Sequence, residues 1–160
     1  MNLSLEMVYT VAVEARRFEE LAQALVRGGY RLTPQREAVL RVLAESDEHP
    51  SVDQIYELAR QRCRSTSRAT VYNTVSVLKQ LGEVLELEFG GAGNRYDGRV
   101  PRAHAHLICT VCGRIEDFER PEMEHVLAAA AAASGYAVTA RRLDFYGLCP
   151  RCQARQPAQA

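Results

Sequence analysis

The sequence has no excess charge of either sign: 20 Lys and Arg stand against 20 Asp and Glu. Whole-chain electrostatics therefore advertise no polyanionic partner. A nucleic-acid reader of this composition has to gather its basic groups on one face. Long apolar runs are also missing. None approaches the roughly 18 residues of a membrane-spanning helix, so no membrane partner is expected. The start, MNLSLEMVYTVAVEARR, lacks the basic segment and apolar stretch of a secretory leader, and the expected compartment is the cytoplasm. Thiols stay reduced there, and paired cysteines bind metal or do redox chemistry more often than they form structural disulfides. No internal repeat is visible.

A chain of 160 residues, 47% of them hydrophobic, suffices for one large domain or two small ones. Residues 16–82 hold 11 Arg and Lys against 8 Asp and Glu, a mild basic bias. Helical signals follow one another through this part. Residues 18–28 read as a helix ended by Gly28–Gly29. Thr33-Pro34 opens a second helix with the apolar stripe Val39, Val42 and Leu43. Ser51 opens a third, Gln54 completes a capping-box pattern, and Val52, Ile55, Leu58 and Ala59 form its expected buried face.

The fourth helix spans 68–81 with Ser67 as cap. Val71, Val75 and Leu78 share one side; Tyr72, Asn73, Ser76 and Gln80 share another, flanked by Arg68 and Lys79. A strand over 83–89, a turn at 90–94 and a short strand over 95–97 complete the winged-helix plan. Gly98–Arg102, with Pro101, reads as a hinge. Beyond it, 104–109 and 114–118 pair as a hairpin, 121–134 form an alanine-rich helix, and 136–146 form a last strand. The tail after Cys152 reads as disordered.

The strongest chemical signal is Cys109-x-x-Cys112 with Cys149-x-x-Cys152, the pairs separated by the 36 residues 113–148. Four thiolates so spaced can close a tetrahedron about one Zn²⁺ and leave no open position for catalysis. Two redox dithiols or two disulfides are the competing readings. Cys63 has no partner nearby in sequence and reads as a small apolar residue rather than a ligand.

A second set mixes nitrogen and oxygen donors. His104-x-His106 places both imidazoles on one face of a strand. Asp97 lies before the hinge, Asp117 on the facing strand, and His49 in the loop ahead of the third helix. Such donors suit Fe²⁺, Mn²⁺ or Zn²⁺. One ion holding all five would tie two domains together and shift the population between their arrangements. From spacing alone, exposed strand and loop histidines remain the alternative. His125 reads as a surface helix residue.

The run RLTPQREAVLRVL, the pair HP at 49–50, and ATVYNTVSVLKQLGEV, NRYDG, HAHLICTVCGRIEDF and YGLCPRC stand in an order that resembles the ferric uptake regulator (Fur) superfamily over residues 18–152. The resemblance implies an α+β homodimer. Residues 1–17 are then an extension, 18–97 an N-terminal winged helix-turn-helix domain, 98–103 a hinge, 104–152 a C-terminal α/β dimerisation domain with a structural zinc site, and 153–160 a tail. It implies structural Zn²⁺ on Cys109, Cys112, Cys149 and Cys152. It further implies a regulatory Fe²⁺ or Mn²⁺ on His49, Asp97, His104, His106 and Asp117. The fourth helix would enter the major groove of a double-stranded operator, an AT-rich palindrome, with Arg68, Thr70, Tyr72 and Asn73 as contacts.

Ala103-His104-Ala105-His106 departs from the acid- and His-rich run of the iron-sensing members, so their accessory metal site looks absent. Aspartate at both 97 and 117 and the asparagine after Tyr72 resemble the peroxide-sensing branch. In that branch iron-catalysed oxidation adds one oxygen to a ligating imidazole, matching His49 and His104 here. The implied function is a metal-dependent transcriptional repressor that releases DNA on peroxide exposure. A manganese, iron or zinc homeostasis regulator is the alternative. A metallohydrolase or thiol oxidoreductase is disfavoured, because the donor set has no general base or substrate cleft beside it.

Overall fold

The computed structural model describes residues 5–88, 93–139 and 141–155. Two compact units divide the chain, residues 1–101 and 102–160.

The first unit is built from helices whose ends are set by local chemistry. Helix α1 runs Leu5–Arg27. The helix expected over 18–28 thus begins far earlier, and much of the N-terminal extension is its first half. Helix α2 (Pro34–Glu45) starts where Thr33 Oγ1 accepts the Arg36 amide and proline fills the first helical position. Helix α3 (Val52–Arg62) carries the complete capping box, Ser51 and Gln54 each bonding the other's backbone. Helix α4 (Arg68–Gln80) is capped by Ser67. Its Val71, Val75 and Leu78 join Leu21, Leu25, Leu40, Leu43 and Ile55 in one core. Leu58 departs from the expected buried face of α3: it is 43% exposed, and only Val52, Ile55 and Ala59 point inward. The apolar stripe is narrower than the sequence spacing suggests.

Strands β1 (Leu85–Leu87) and β2 (Arg95–Asp97) pair antiparallel after α4, with Leu85 opposite Asp97. The turn read at 90–94 falls mostly on residues 89–92, outside the described ones.

In the second unit β3 (Ala105–Cys109) is the centre of a three-stranded sheet, between β4 (Ile115–Phe118) and β5 (Leu143–Gly147). It runs antiparallel to β4 and parallel to β5. A parallel neighbour needs a crossover, and α5 (Pro121–Ser134) supplies it, ending at Gly135 in the left-handed conformation at φ 70°. The strand expected over 136–146 is shorter than read: residues 136–139 carry no strand pairing. Alternating apolar residues at Tyr136 and Val138 mimic a strand, but both side chains are exposed. The segment after Cys149 forms a helical turn, α6 (Pro150–Gln153), rather than continuing from the strand. Of the tail read as disordered, 156–160 lie outside the described residues.

Candidate metal centres and nucleic-acid interface

Cys109 ends β3, Cys112 follows in the tight turn, and Cys149 and Cys152 bracket the start of α6. Sheet register brings them together, because Thr110 N donates to Gly147 O at 2.8 Å just before Cys149. All four sulfurs lie within 4.8 Å of one another. Cys112 and Cys149 sulfurs are 3.7 Å apart. A tetrahedron with Zn–S bonds of about 2.3 Å has edges of about 3.8 Å, which the Cys112–Cys149 pair matches, and the other sulfurs are gathered on the same scale. All five cysteines are unbridged.

The thiols are electrostatically unequal. The Cys149 amide, 3.4 Å from Cys109 sulfur, and the Cys112 amide hold the Cys109 thiol down at about 6. Burial, with the neighbouring thiols adding to it, pushes Cys152 up to about 12. Four thiolates this close repel unless a cation is shared, and the donor set is one that Zn²⁺ satisfies completely. Cys63 sits half-buried at the end of α3, its sulfur 3.3 Å from Ser65 Oγ, and belongs to the first unit.

In the first unit, His49 is only 3% exposed and holds a backbone φ of 50°, a left-handed conformation costly for a residue with a Cβ. Neighbours over-determine that conformation. The Tyr96 amide donates to Pro50 O at 3.1 Å, and Arg95 from the same strand bonds Gln54 Oε1 at 2.8 Å. Strand β2 therefore fixes the His49 loop and delivers Asp97 beside it. Asp97 Oδ1 accepts from the Arg99 and Val100 amides at 2.8 and 3.1 Å, which turns Oδ2 toward His49 Nε2 at 3.9 Å. That gap is too long for a hydrogen bond. His49 Nε2 and Asp97 Oδ2 thus lie close together, both buried, without bonding each other.

The peptide just after Asp97 is anchored too. Arg17, 6% exposed, donates from Nε to Gly98 O at 2.8 Å. Its other nitrogens reach Glu83 O at 2.7 Å and the Glu83 carboxylate at 3.0 Å. A Cβ on Gly98 would lie 2.6 Å from Leu43 Cβ and 2.8 Å from the Leu43 carbonyl oxygen, so only glycine fits there.

In the second unit, His106 and Asp117 face each other across β3 and β4. His104 and His106 rings are 4.4 Å apart, both on one face as alternation requires. His104 Nδ1 lies 2.8 Å from the Arg102 carbonyl oxygen, which can only accept, so the proton sits on Nδ1. Nε2 then presents to Asp117 Oδ1 at 3.0 Å. Two acceptors face each other at that distance, an arrangement resolved by a cation or a second proton between them. Sequence reasoning missed one member of this group. Asp144 on β5 is in register with His106 on the side opposite Asp117. Its Oδ1 lies 3.5 Å from His106 Nδ1.

On α4, Tyr72 is 56% exposed, so its ring lies outside the core, and Asn73 is exposed beside it. Thr70 Oγ1 contacts Ser67 Oγ at 3.0 Å at the helix start. Arg68 is exposed but engaged: it pairs with Asp53, approaches Glu57, and stacks 4.5 Å from the Tyr56 ring centroid. His125 is exposed on α5, as read.

The family described as the ferric uptake regulator family matches residues 27–146. A peroxide-responsive repressor, PerR, of Staphylococcus epidermidis is 38% identical over 135 residues, 84% of this chain and 89% of that one. PerR of Staphylococcus aureus is likewise 38% identical, across 84% of this chain and 90% of its own length. Among solved structures, the Helicobacter pylori ferric uptake regulator, described as having three functional metal-binding sites, superimposes with a TM-score of 0.74 at 26% identity, covering 92% of this chain and 96% of that one. A zinc-bound manganese uptake regulator gives 0.65 at 31% identity over 82% of this chain and 98% of that one. On sequence and on fold alike, the chain belongs to the ferric uptake regulator family.

Proposed function

We propose that the chain is a metal-dependent, DNA-binding transcriptional repressor that responds to peroxide through oxidation of a ligating histidine. Its Cys109, Cys112, Cys149 and Cys152 hold structural Zn²⁺. The observation that carries the regulatory reading is the chemistry of two partial donor sets: His49 with Asp97 in one unit, His104 and His106 with Asp117 in the other. Neither set alone completes the shell of a five-coordinate ion. We assign all five to one regulatory Fe²⁺ or Mn²⁺, a borderline-to-hard pair of ions that such donors suit. An ion drawing ligands from both units favours the arrangement in which those ligands converge, and so biases DNA affinity.

Ferrous iron bound there supplies one-electron cleavage of peroxide, which manganese does not. The chain supplies the oxygen acceptors, His49 and His104. Each oxidation consumes one hydrogen peroxide, inserts one oxygen into the imidazole and releases one water. A ring so altered would be a poorer donor at His49 or His104, the two units would no longer be held by shared ligands, and DNA affinity would fall.

Residues 18–97 are assigned to the winged helix-turn-helix domain, with 1–17 as an extension. Residues 98–103 are the hinge, 104–152 the dimerisation domain and 153–160 the tail. Helix α4 presents Arg68, Thr70, Tyr72 and Asn73 to the major groove of an AT-rich palindrome, read by a homodimer with matching two-fold symmetry. Exposed Leu107, Phe145 and Tyr146 on the sheet and Val126 on α5 suit a subunit interface. Among the described residues no helix is long and apolar enough to cross a membrane. A cytoplasmic regulator, not an enzyme, fits these features.

The likeness to a manganese uptake regulator favours one second reading, a metal-homeostasis regulator without peroxide sensing. Operator binding titrated with Fe²⁺, Mn²⁺ and Zn²⁺, each with and without peroxide, separates them. DNA binding is expected with iron or manganese, and peroxide-triggered release with iron alone. Iron-loaded protein that stays on DNA under peroxide supports the second reading.

A further inference from the structure

We propose that Asp144 is a positioning residue for the regulatory metal: it holds the His106 ring with its proton on Nδ1, so that Nε2 presents a lone pair to the ion. The inference rests on the regulatory site assigned above and deepens it.

His106 sits at the centre of β3, with Asp117 opposite it on β4 and Asp144 opposite it on β5. In-register neighbours project from the same face of a sheet, so one imidazole lies between two carboxylates. Their distances assign them different work. Asp144 Oδ1 lies 3.5 Å from His106 Nδ1, while Asp117 approaches the neighbouring His104 at 3.0 Å. The Asp144 side chain is 8% exposed, and its Oδ1 is a buried oxygen with no hydrogen bond. A buried carboxylate oxygen without a donor is costly. The nearest group able to supply one is the Nδ1–H of His106, which a small ring rotation brings into range. Arg142 secures the other oxygen, its Nε donating to Asp144 Oδ2 at 2.6 Å. Arg142, Asp144 and His106 thus form a relay from the sheet edge inward, in which the guanidinium orients the carboxylate and the carboxylate orients the ring.

Metal-ligating imidazoles commonly donate their second N–H to a carboxylate or carbonyl, which fixes the tautomer and raises donor basicity. His104 already has such a partner in the Arg102 carbonyl. Asp144 gives His106 the same support. It differs in carrying charge, which also offsets part of the charge of a bound divalent ion.

The test uses the full chain with its structural zinc. Histidine-labelled protein without regulatory metal gives the His106 tautomer by long-range proton–nitrogen correlation, and Mn²⁺ alone gives the affinity. The wild type should show the proton on Nδ1. Asp144→Asn should weaken Mn²⁺ about tenfold or more, in the range typical for loss of an outer partner of a ligand. It should also move the His106 nitrogen shifts, while zinc stays at one ion per chain and melting is unchanged. Asp144→Glu should recover part of the affinity. A wild-type proton on Nε2 overturns the proposal, and so does folded Asp144→Asn that binds Mn²⁺ within twofold of wild type. If the Asn variant fails to fold, the wild-type tautomer decides alone. A wild type that binds no Mn²⁺ or Fe²⁺ at all sinks the regulatory site itself, a separate result.

Discussion

Arg17 and Gly98, 81 positions apart, are joined by a 2.8 Å hydrogen bond from the guanidinium Nε to the glycine carbonyl. The same guanidinium bonds the backbone and carboxylate of Glu83. One side chain from the first helix therefore fastens the end of β2, next to Asp97. Arg17→Ala leaves a buried carbonyl and a largely buried carboxylate without their cation, and should cost about 2–4 kcal/mol. Arg17→Lys should recover little, because one ammonium cannot reproduce the fork. Urea unfolding followed by circular dichroism measures both.

The zinc cluster makes a sharper demand. Cys112→Ser removes one of four thiolates, and the zinc content should fall well below one ion per chain, with loss of cooperative melting of residues 102–160. Cys63→Ser should leave zinc content unchanged. Metal analysis beside thermal melting distinguishes the two. Equal zinc loss in both variants would show that Cys63 is a ligand.

How much of this was legible beforehand depends on the range of the interaction. Thr33, Ser51 with Gln54, and Ser67 announce three helix starts, because a cap is satisfied within three residues of itself. The CxxC pairs and HxH were readable for the same reason: short spacing carries the chemistry. Arg17 carries no such local signal for its anchoring role: beyond its near pairing with Glu20, the partners that fasten β2 lie 66 and 81 residues away. Asp144 was invisible until the parallel pairing of β3 with β5 set it beside His106. The last strand was overextended because exposed Tyr136 and Val138 alternate as a strand would, with no neighbour to pair.

Alkaline pH should weaken the first unit through Tyr96. Burial, reinforced by its hydrogen bond to Glu86 at 2.9 Å, pushes the phenol from 10.0 up to about 12. Between these values the folded protein keeps a proton that the unfolded chain has lost, so stability falls as pH rises through this window and is fully present below it. Tyr96→Phe should show a shallower fall from pH 10 to 12. With no tryptophan in the chain, phenolate absorbance should follow the titration cleanly, one of the seven tyrosines ionising late.

The central claim is that the nitrogen–oxygen donors hold an iron whose chemistry is directed at His49 and His104. Mass spectrometry of peptides from the iron-loaded protein after peroxide, run beside operator binding on the same samples, tests it most directly. The account requires one added oxygen on the peptide containing His49 or His104, rising in step with loss of DNA binding and absent from manganese-loaded protein. Release from DNA with both peptides unmodified would contradict it.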